Sequence, residues 1–166
     1  MARLVLVGLP GTGKTTLARE LAQRWHIEAV DTDELLVATT GRAVADLLRE
    51  DGEATFRRLE ANVLDDALRD DVVVSTGGGI VVMPESRDEL AKVTTLWIDC
   101  DDDIIVERVR GGDRPLLGDD PLEALGQLRA ARTTWYEQVS RARIESSGSL
   151  EEVADQVEKE LMRITS

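Results

Sequence analysis

Gly8-Leu9-Pro10-Gly11-Thr12-Gly13-Lys14-Thr15, directly after the apolar run Leu4 to Val7, has the form G-x-x-x-x-G-K-[ST]. A strand that runs into a glycine-rich turn, which then opens a helix, gathers backbone N–H groups into a concavity suited to phosphate oxygens. The helix, expected from about Lys14 to Arg24, adds the partial positive charge of its N-terminus at the same place. In such a turn the lysine reaches the outer phosphates and the hydroxyl of Thr15 can hold Mg²⁺. A glycine-rich turn capped by a threonine is the plain alternative. The strand before and the helix after favour the phosphate loop.

Outward from this loop, short apolar runs alternate with helical patterns. Strands are expected at Arg3 to Val7, Glu28 to Val30, Val72 to Ser75, Thr94 to Ile98 and Ala142 to Ile144. Continuous apolar runs of this length suit parallel strands buried on both faces. Leu150, Val153, Ala154, Val157 and Leu161 recur at helical spacing, with Ser149 and Glu152 placed as a capping box. The alternation implies right-handed crossovers and a three-layer α/β/α sandwich. Ligands of such sheets sit beyond the carboxyl ends of the strands. Four segments fall there: the phosphate loop, Asp31-Thr32-Asp33, Gly77-Gly78-Gly79, and a basic loop from Arg108 to Leu117.

A chain of 166 residues is expected to form one domain. At that size roughly 70% of the unfolded surface is buried, so no disulfide is required. Cys100 is the single cysteine and suits a reducing compartment. No apolar run approaches the ~20 residues of a membrane span, and the N-terminus reads as a core strand, so a cytoplasmic protein is expected. The formal net charge of −13 argues against nucleic acid or anionic lipid as partner. Anions must then be bound by local arginines and backbone amides.

Each remaining segment has a chemical and a plain reading. Asp31 is a candidate for Mg²⁺ through water, and Asp33 for general base on an acceptor hydroxyl. Alternatively Thr32 or Asp33 caps a helix starting near Glu34. Arg57 and Glu60 are three apart on one helical face. They form either a carboxylate clamp with an oriented guanidinium or a surface ion pair worth less than ~1 kcal/mol. Three successive glycines, Gly77 to Gly79, suggest close backbone approach and N–H donors. Arg114-Pro115-Leu116-Leu117, flanked by Gly111, Gly112 and Gly118, reads as a lid or an ordinary exposed loop. Arg129 or Arg132 faces the cleft from the helix Leu122 to Val139, unless both are solvated charges. His26, the only histidine, is read as structural.

Taken together, GLPGTGKT, DTD, FRRLE, STGGG, RPLL and a later arginine before a tyrosine resemble the shikimate kinase family over nearly the whole chain. The resemblance implies a P-loop kinase of the nucleoside-monophosphate-kinase-like fold, with a five-stranded parallel sheet in order 2-3-1-4-5. It implies a substrate-binding segment at about 33–62 and a lid at about 110–121. It implies ATP-dependent phosphorylation of shikimate at its 3-hydroxyl, in aromatic amino-acid biosynthesis, by a monomer using ATP and Mg²⁺. Gly8, Pro10, Gly11, Thr12, Gly13, Lys14, Thr15 and Thr16 would serve the nucleotide, with Thr15 and Asp31 toward the metal. Lys14, Asp33 and Arg114 would be catalytic. Asp33, Phe56, Arg57, Glu60, Gly77, Gly78, Gly79, Leu116 and Arg132 would meet the acceptor, with Pro115 also lining its pocket. The adenine-facing arginine is Arg108 or Arg110. The stretch between Arg110 and Arg114 is short for this family, Ser146-Ser147-Gly148 lacks the usual arginine and proline, and Leu48 stands where an aromatic is expected. A gluconate-type or other small hydroxy-acid kinase on the same fold is the second reading, and an ATP-binding module without catalysis is the third. A GTP switch is disfavoured, since Asn62 is the only asparagine and no N-K-x-D motif exists.

Overall fold

The computed structural model describes residues 1–110 and 118–166. Its sheet contains β1 (Leu4–Val7), β2 (Glu28–Asp31), β3 (Val72–Ser75), β4 (Thr95–Asp99) and β5 (Ala142–Glu145), all parallel, in the order β2-β3-β1-β4-β5. The expected strands stand within a residue or two at each end, and the order is the one the resemblance implied. β1 lies at the centre, so the loop after it opens between β3 and β4, where the connection order reverses.

Alternate residues of the central strands feed two separate cores, as the two-residue period of a strand requires. Leu4, Leu6, Val73, Leu96 and Ile98 pack with Leu17 and Leu21 of α1 (Lys14–Trp25) and Val153, Ala154 and Val157 of α8 (Leu150–Thr165). Val5, Val7, Val72, Val74 and Trp97 pack on the other face. Their partners come from α4 (Glu53–Ala67), α5 (Pro84–Lys92), α6 (Asp102–Arg110) and α7 (Pro121–Val139). A third, smaller core of Leu36, Leu47, Phe56 and Val63 unites α2 (Thr32–Thr40), α3 (Val44–Asp51) and α4. The 33–62 segment therefore has apolar cohesion of its own.

Helix ends follow local chemistry. α1 stops where His26 takes a left-handed conformation (φ 55°) and its N–H bonds back to Gln23, a structural role as expected. The Ser149–Glu152 capping box of α8 is formed reciprocally. The cap of α2 differs from expectation. Neither Thr32 nor Asp33 provides it, because the helix starts at Thr32, two residues before Glu34. Asp31 is the cap, accepting from the N–H groups of Asp33 and Glu34.

The basic loop expected after β4 also needs correction. Asp102 and Asp103 open α6, Ile105 and Val106 bury one face, and Arg108 lies on this helix. Arg114, Pro115, Leu116 and Leu117 lie outside the described residues, as does most of the 110–121 segment. Among the described residues no helix is long and apolar enough to cross a membrane.

Candidate active site

The carboxyl ends of the strands open into one cavity of about 730 Å³. Its floor is the phosphate loop. Gly8, Gly11 and Gly13 all have positive φ (149°, 83° and 90°), so the loop needs residues without a Cβ. Gly8 needs one for a second reason: a Cβ there would overlap the Ile98 carbonyl of β4. Buried Thr12 ties the loop inward through its hydroxyl to Leu9 O (3.1 Å). The Lys14 ammonium donates to the carbonyls of Gly8 (2.9 Å) and Leu9 (2.8 Å), which folds it over the loop's concave face. Thr16 and Pro10 line the same space.

Beside the loop, the Thr15 hydroxyl donates to Asp31 Oδ2 (2.6 Å) and lies 3.2 Å from the Ser75 hydroxyl. Asp31 thus works with both oxygens: Oδ1 caps α2 and Oδ2 faces Thr15. Among the described residues no three His, Cys, Asp or Glu side chains gather into a metal cage. A hydroxyl and one carboxylate fit a small hard cation that keeps much of its water.

The upper wall is made of side chains. Arg57 donates to Glu60 at 2.6 Å with side chains only 13% and 4% exposed. The surface ion-pair reading fails on that burial. Desolvation pushes the Glu60 carboxyl above the usual range, and the Arg57 guanidinium opposes the rise. Arg57 Nε is buried without a hydrogen-bond partner, which leaves donor capacity on the guanidinium beyond its bond to Glu60. Phe56 lies under the Arg57 guanidinium, 5.2 Å from it. Asp33, Phe56, Arg57, Glu60, Arg132 and the Gly77–Gly79 turn all line the cavity, so the structure brings together every described candidate on the acceptor side.

The three glycines differ in role. The Gly77 N–H is taken by the Thr32 hydroxyl (3.0 Å), which removes it from the expected donor set. A Cβ on Gly77 would crowd Asp33 and Glu60, one on Gly78 would crowd Pro10 and Arg132, and one on Gly79 would overlap the Arg57 guanidinium. The triplet is closely approached by the protein's own groups: the charged side chains of Asp33, Glu60, Arg57 and Arg132, and the ring of Pro10.

On α7, Arg132 lines the cavity and Arg129 does not. Arg129 is bonded to Asp99, Asp102 and the Cys100 carbonyl. Arg108 donates to the carbonyls of Thr12 (3.2 Å) and Ser146 (2.8 Å) and lines the cavity, whereas Arg110 is exposed at the end of α6 and does not. Ser146 in turn donates to Thr12 O (2.9 Å). Leu48 lines the pocket as an aliphatic, with Val44 and Leu128 beside it. Ser75 and Leu128 were not singled out from the sequence, and Thr32 was considered only as a helix cap. Ser75 could have been, because it ends β3 where the strand-end rule places ligands.

Comparisons with known proteins place the chain in one family. The chain matches the sequence model of the family described as shikimate kinase over residues 10–162. It is 42% identical over 165 residues to the shikimate kinase of Symbiobacterium thermophilum, covering 95% of each chain. Among solved structures it is similar to shikimate kinase from Acinetobacter baumannii in complex with shikimate. That match has a TM-score of 0.88 and 29% identity, covering 98% of this chain and 92% of that one. It is also similar to the shikimate kinase of Bacteroides thetaiotaomicron, with a TM-score of 0.91 and 26% identity over 97% and 98% of the two chains.

Proposed function

This chain belongs to the shikimate kinase family, and from that premise we propose that it transfers the γ-phosphoryl group of ATP to the 3-hydroxyl of shikimate. The observation that carries the reading is the buried Arg57–Glu60 pair in one cavity with Asp33, Arg132 and the phosphate loop. A small hydroxylated acid needs guanidinium forks for its carboxylate and acceptors for its hydroxyls. Both stand above a loop made for phosphates.

Each residue then has a task. Backbone N–H groups of residues 11–15 hold phosphate oxygens, and Lys14 swings from the Gly8 and Leu9 carbonyls to neutralise charge that develops during transfer. Arg108, with the Ser146 loop behind it, flanks the base. Arg57, oriented by Glu60, and Arg132 clamp the acceptor carboxylate. Asp33 accepts a hydrogen bond from the acceptor hydroxyl and takes its proton as the phosphoryl group departs from ADP. Thr15 and Asp31 would hold Mg²⁺, which would neutralise phosphate charge when bound. Arg114, outside the described residues, is assigned to the transferring phosphoryl group by resemblance alone. No covalent nucleophile is required, because positioning and electrostatics carry such transfers. The same reading takes residues 1–166 as a single-domain monomer working in the cytoplasm.

The test is coupled ADP release with MgATP and shikimate, gluconate or no acceptor. Stimulation by shikimate alone is the expected result. Stimulation by gluconate instead would transfer the protein to the second reading, and acceptor-independent hydrolysis would point to an ATP-binding module without acceptor chemistry.

A further inference from the structure

Gly78 is the point where three parts of the cavity wall meet. A Cβ there would lie 2.8 Å from Pro10 Cδ of the phosphate loop and 3.3 Å from an Arg132 guanidinium nitrogen. Its carbonyl accepts a 2.5 Å hydrogen bond from the Tyr136 hydroxyl. Tyr136 lies four residues after Arg132 on α7, so both side chains leave the same helix face. The ring is buried (1% exposed) and stacks on Trp97 of β4, centroids 5.9 Å apart. The Arg143 guanidinium lies over the ring of that tryptophan, 5.4 Å from its centroid. The ring is therefore fixed by the core, while its hydroxyl sits between the Gly78 carbonyl and the Arg132 guanidinium.

We propose that Tyr136 is a positioning residue for acceptor binding: its hydroxyl sets the Gly78–Gly79 peptide plane and thereby aims the Gly79 N–H. No cis peptide occurs among the described residues, and in a trans peptide the C=O and N–H point in opposite directions. A carbonyl drawn toward Tyr136 turns the Gly79 N–H away from the α7 core. Gly79 lines the cavity, and a Cβ there would overlap the Arg57 guanidinium, so the same peptide plane also bounds the space Arg57 occupies. One turn of α7 thus delivers a ligand arm, Arg132, and the latch that orients the opposite donor. Burial keeps the phenol protonated, its pKa pushed up to about 12 against the opposing charge of Arg132.

This inference rests on the acceptor site proposed above, and the experiment separates the two. Tyr136→Phe removes one hydroxyl and keeps the ring. Val139→Ala, buried one turn further along α7, destabilises the same helix while leaving the hydroxyl in place. Two readouts are taken on each: amide hydrogen exchange at Gly78 and Gly79 in the free protein, and steady-state kinetics with shikimate and MgATP. Tyr136→Phe is expected to speed exchange at these glycines and raise the shikimate KM about tenfold, the scale of one lost hydrogen bond. The ATP KM should stay within about twofold, and Val139→Ala should move neither readout. Unchanged glycine exchange, an unchanged shikimate KM, or equal effects from Val139→Ala would each overturn the proposal. If the wild-type protein is not stimulated by shikimate, the functional reading fails on its own. Exchange then still decides the latch, with faster exchange in Tyr136→Phe supporting it and unchanged exchange overturning it.

Discussion

In the proposed assignment the nucleotide half of the cavity is built on one continuous stretch of backbone, whereas the acceptor half is assembled from four separated segments and held mainly by side chains. Residues 8–16 form the first through three positive-φ glycines and a lysine folded over its own loop. The second draws Asp33 from α2, Arg57 and Glu60 from α4, the turn after β3, and Arg132 from α7. A backbone site keeps its shape by local conformation, and a side-chain site keeps it by burial and pairing. The two halves should therefore fail in different ways, the first through strain and the second through a partner left alone.

The largest effects belong to the chemistry shared by both halves. Lys14→Met is expected to lower kcat by about 10³ or more, the scale of a lost electrostatic stabiliser. Asp33→Asn should lower kcat by about 10² to 10⁴ if the residue is the base. Coupled ADP release measures both. Near-normal kcat in Asp33→Asn would leave that residue only a hydrogen-bonding role.

Arg57→Ala comes next and separates the halves. It leaves the Glu60 carboxylate buried without its cation, a change that costs about 3–5 kcal/mol in comparable pairs. It also raises the shikimate KM while sparing the ATP KM. The double variant Arg57→Leu/Glu60→Leu should recover most of the stability, since no charge is then stranded, yet bind shikimate no better. Urea denaturation and KM values would show this. Recovery of affinity in the double variant would mean that Arg57 holds the fold and not the acceptor.

The same contrast explains what could be read in the chain. The phosphate loop, the five strands and the α8 cap are local patterns, so their residues carry the signal themselves. Arg57 and Glu60 were legible as neighbours, but not as a buried pair. Gly77 and Gly79, which come close to the pair, lie elsewhere in sequence. Gly77 to Gly79 were legible as a close approach, but nothing in the triplet reveals that Thr32 takes one N–H. Asp31 was placed near the metal, and its second duty as helix cap went unread because the start of α2 was placed too late. Arg108 was expected on a loop because Gly111 and Gly112 outweighed the shorter apolar pattern of Ile105 and Val106. The tie of Arg129 to Asp99 spans two elements and leaves no periodic trace.

Two glycines sharpen the comparison at smaller scale. Gly8→Ala sets a Cβ against the Ile98 carbonyl at positive φ, and backbone cannot step aside. It should lower stability by about 3 kcal/mol or more. Gly79→Ala sets a Cβ against the flexible end of Arg57. That end is held in the buried pair with Glu60, so the change should cost about 1–3 kcal/mol and raise the shikimate KM about tenfold. Thermal denaturation beside kinetics would check the pair, and equal stability losses would erase the distinction between the halves.

The smallest effect is a pH dependence confined to the acceptor half. Burial raises the Glu60 pKa above its ordinary 4.5 in spite of Arg57. In the window above 4.5 the folded state therefore holds more protons than the unfolded state, and stability falls as pH rises through the raised value. The slope inside that window is at most about 1.4 kcal/mol per pH unit. Exposed carboxylates held by arginines, such as Asp51 and Glu160, are lowered instead and act with the opposite sign. Only the difference between wild type and Glu60→Gln isolates this group. Urea midpoints from pH 4 to 8 should converge at the acid end, with the wild type losing ground as pH rises. Parallel curves would show that Glu60 titrates normally. A carboxylate clamped on Arg57 draws on the same cation that holds Glu60 down. Shikimate should therefore push the Glu60 pKa further up, take up protons on binding, and bind more weakly as pH rises through that window.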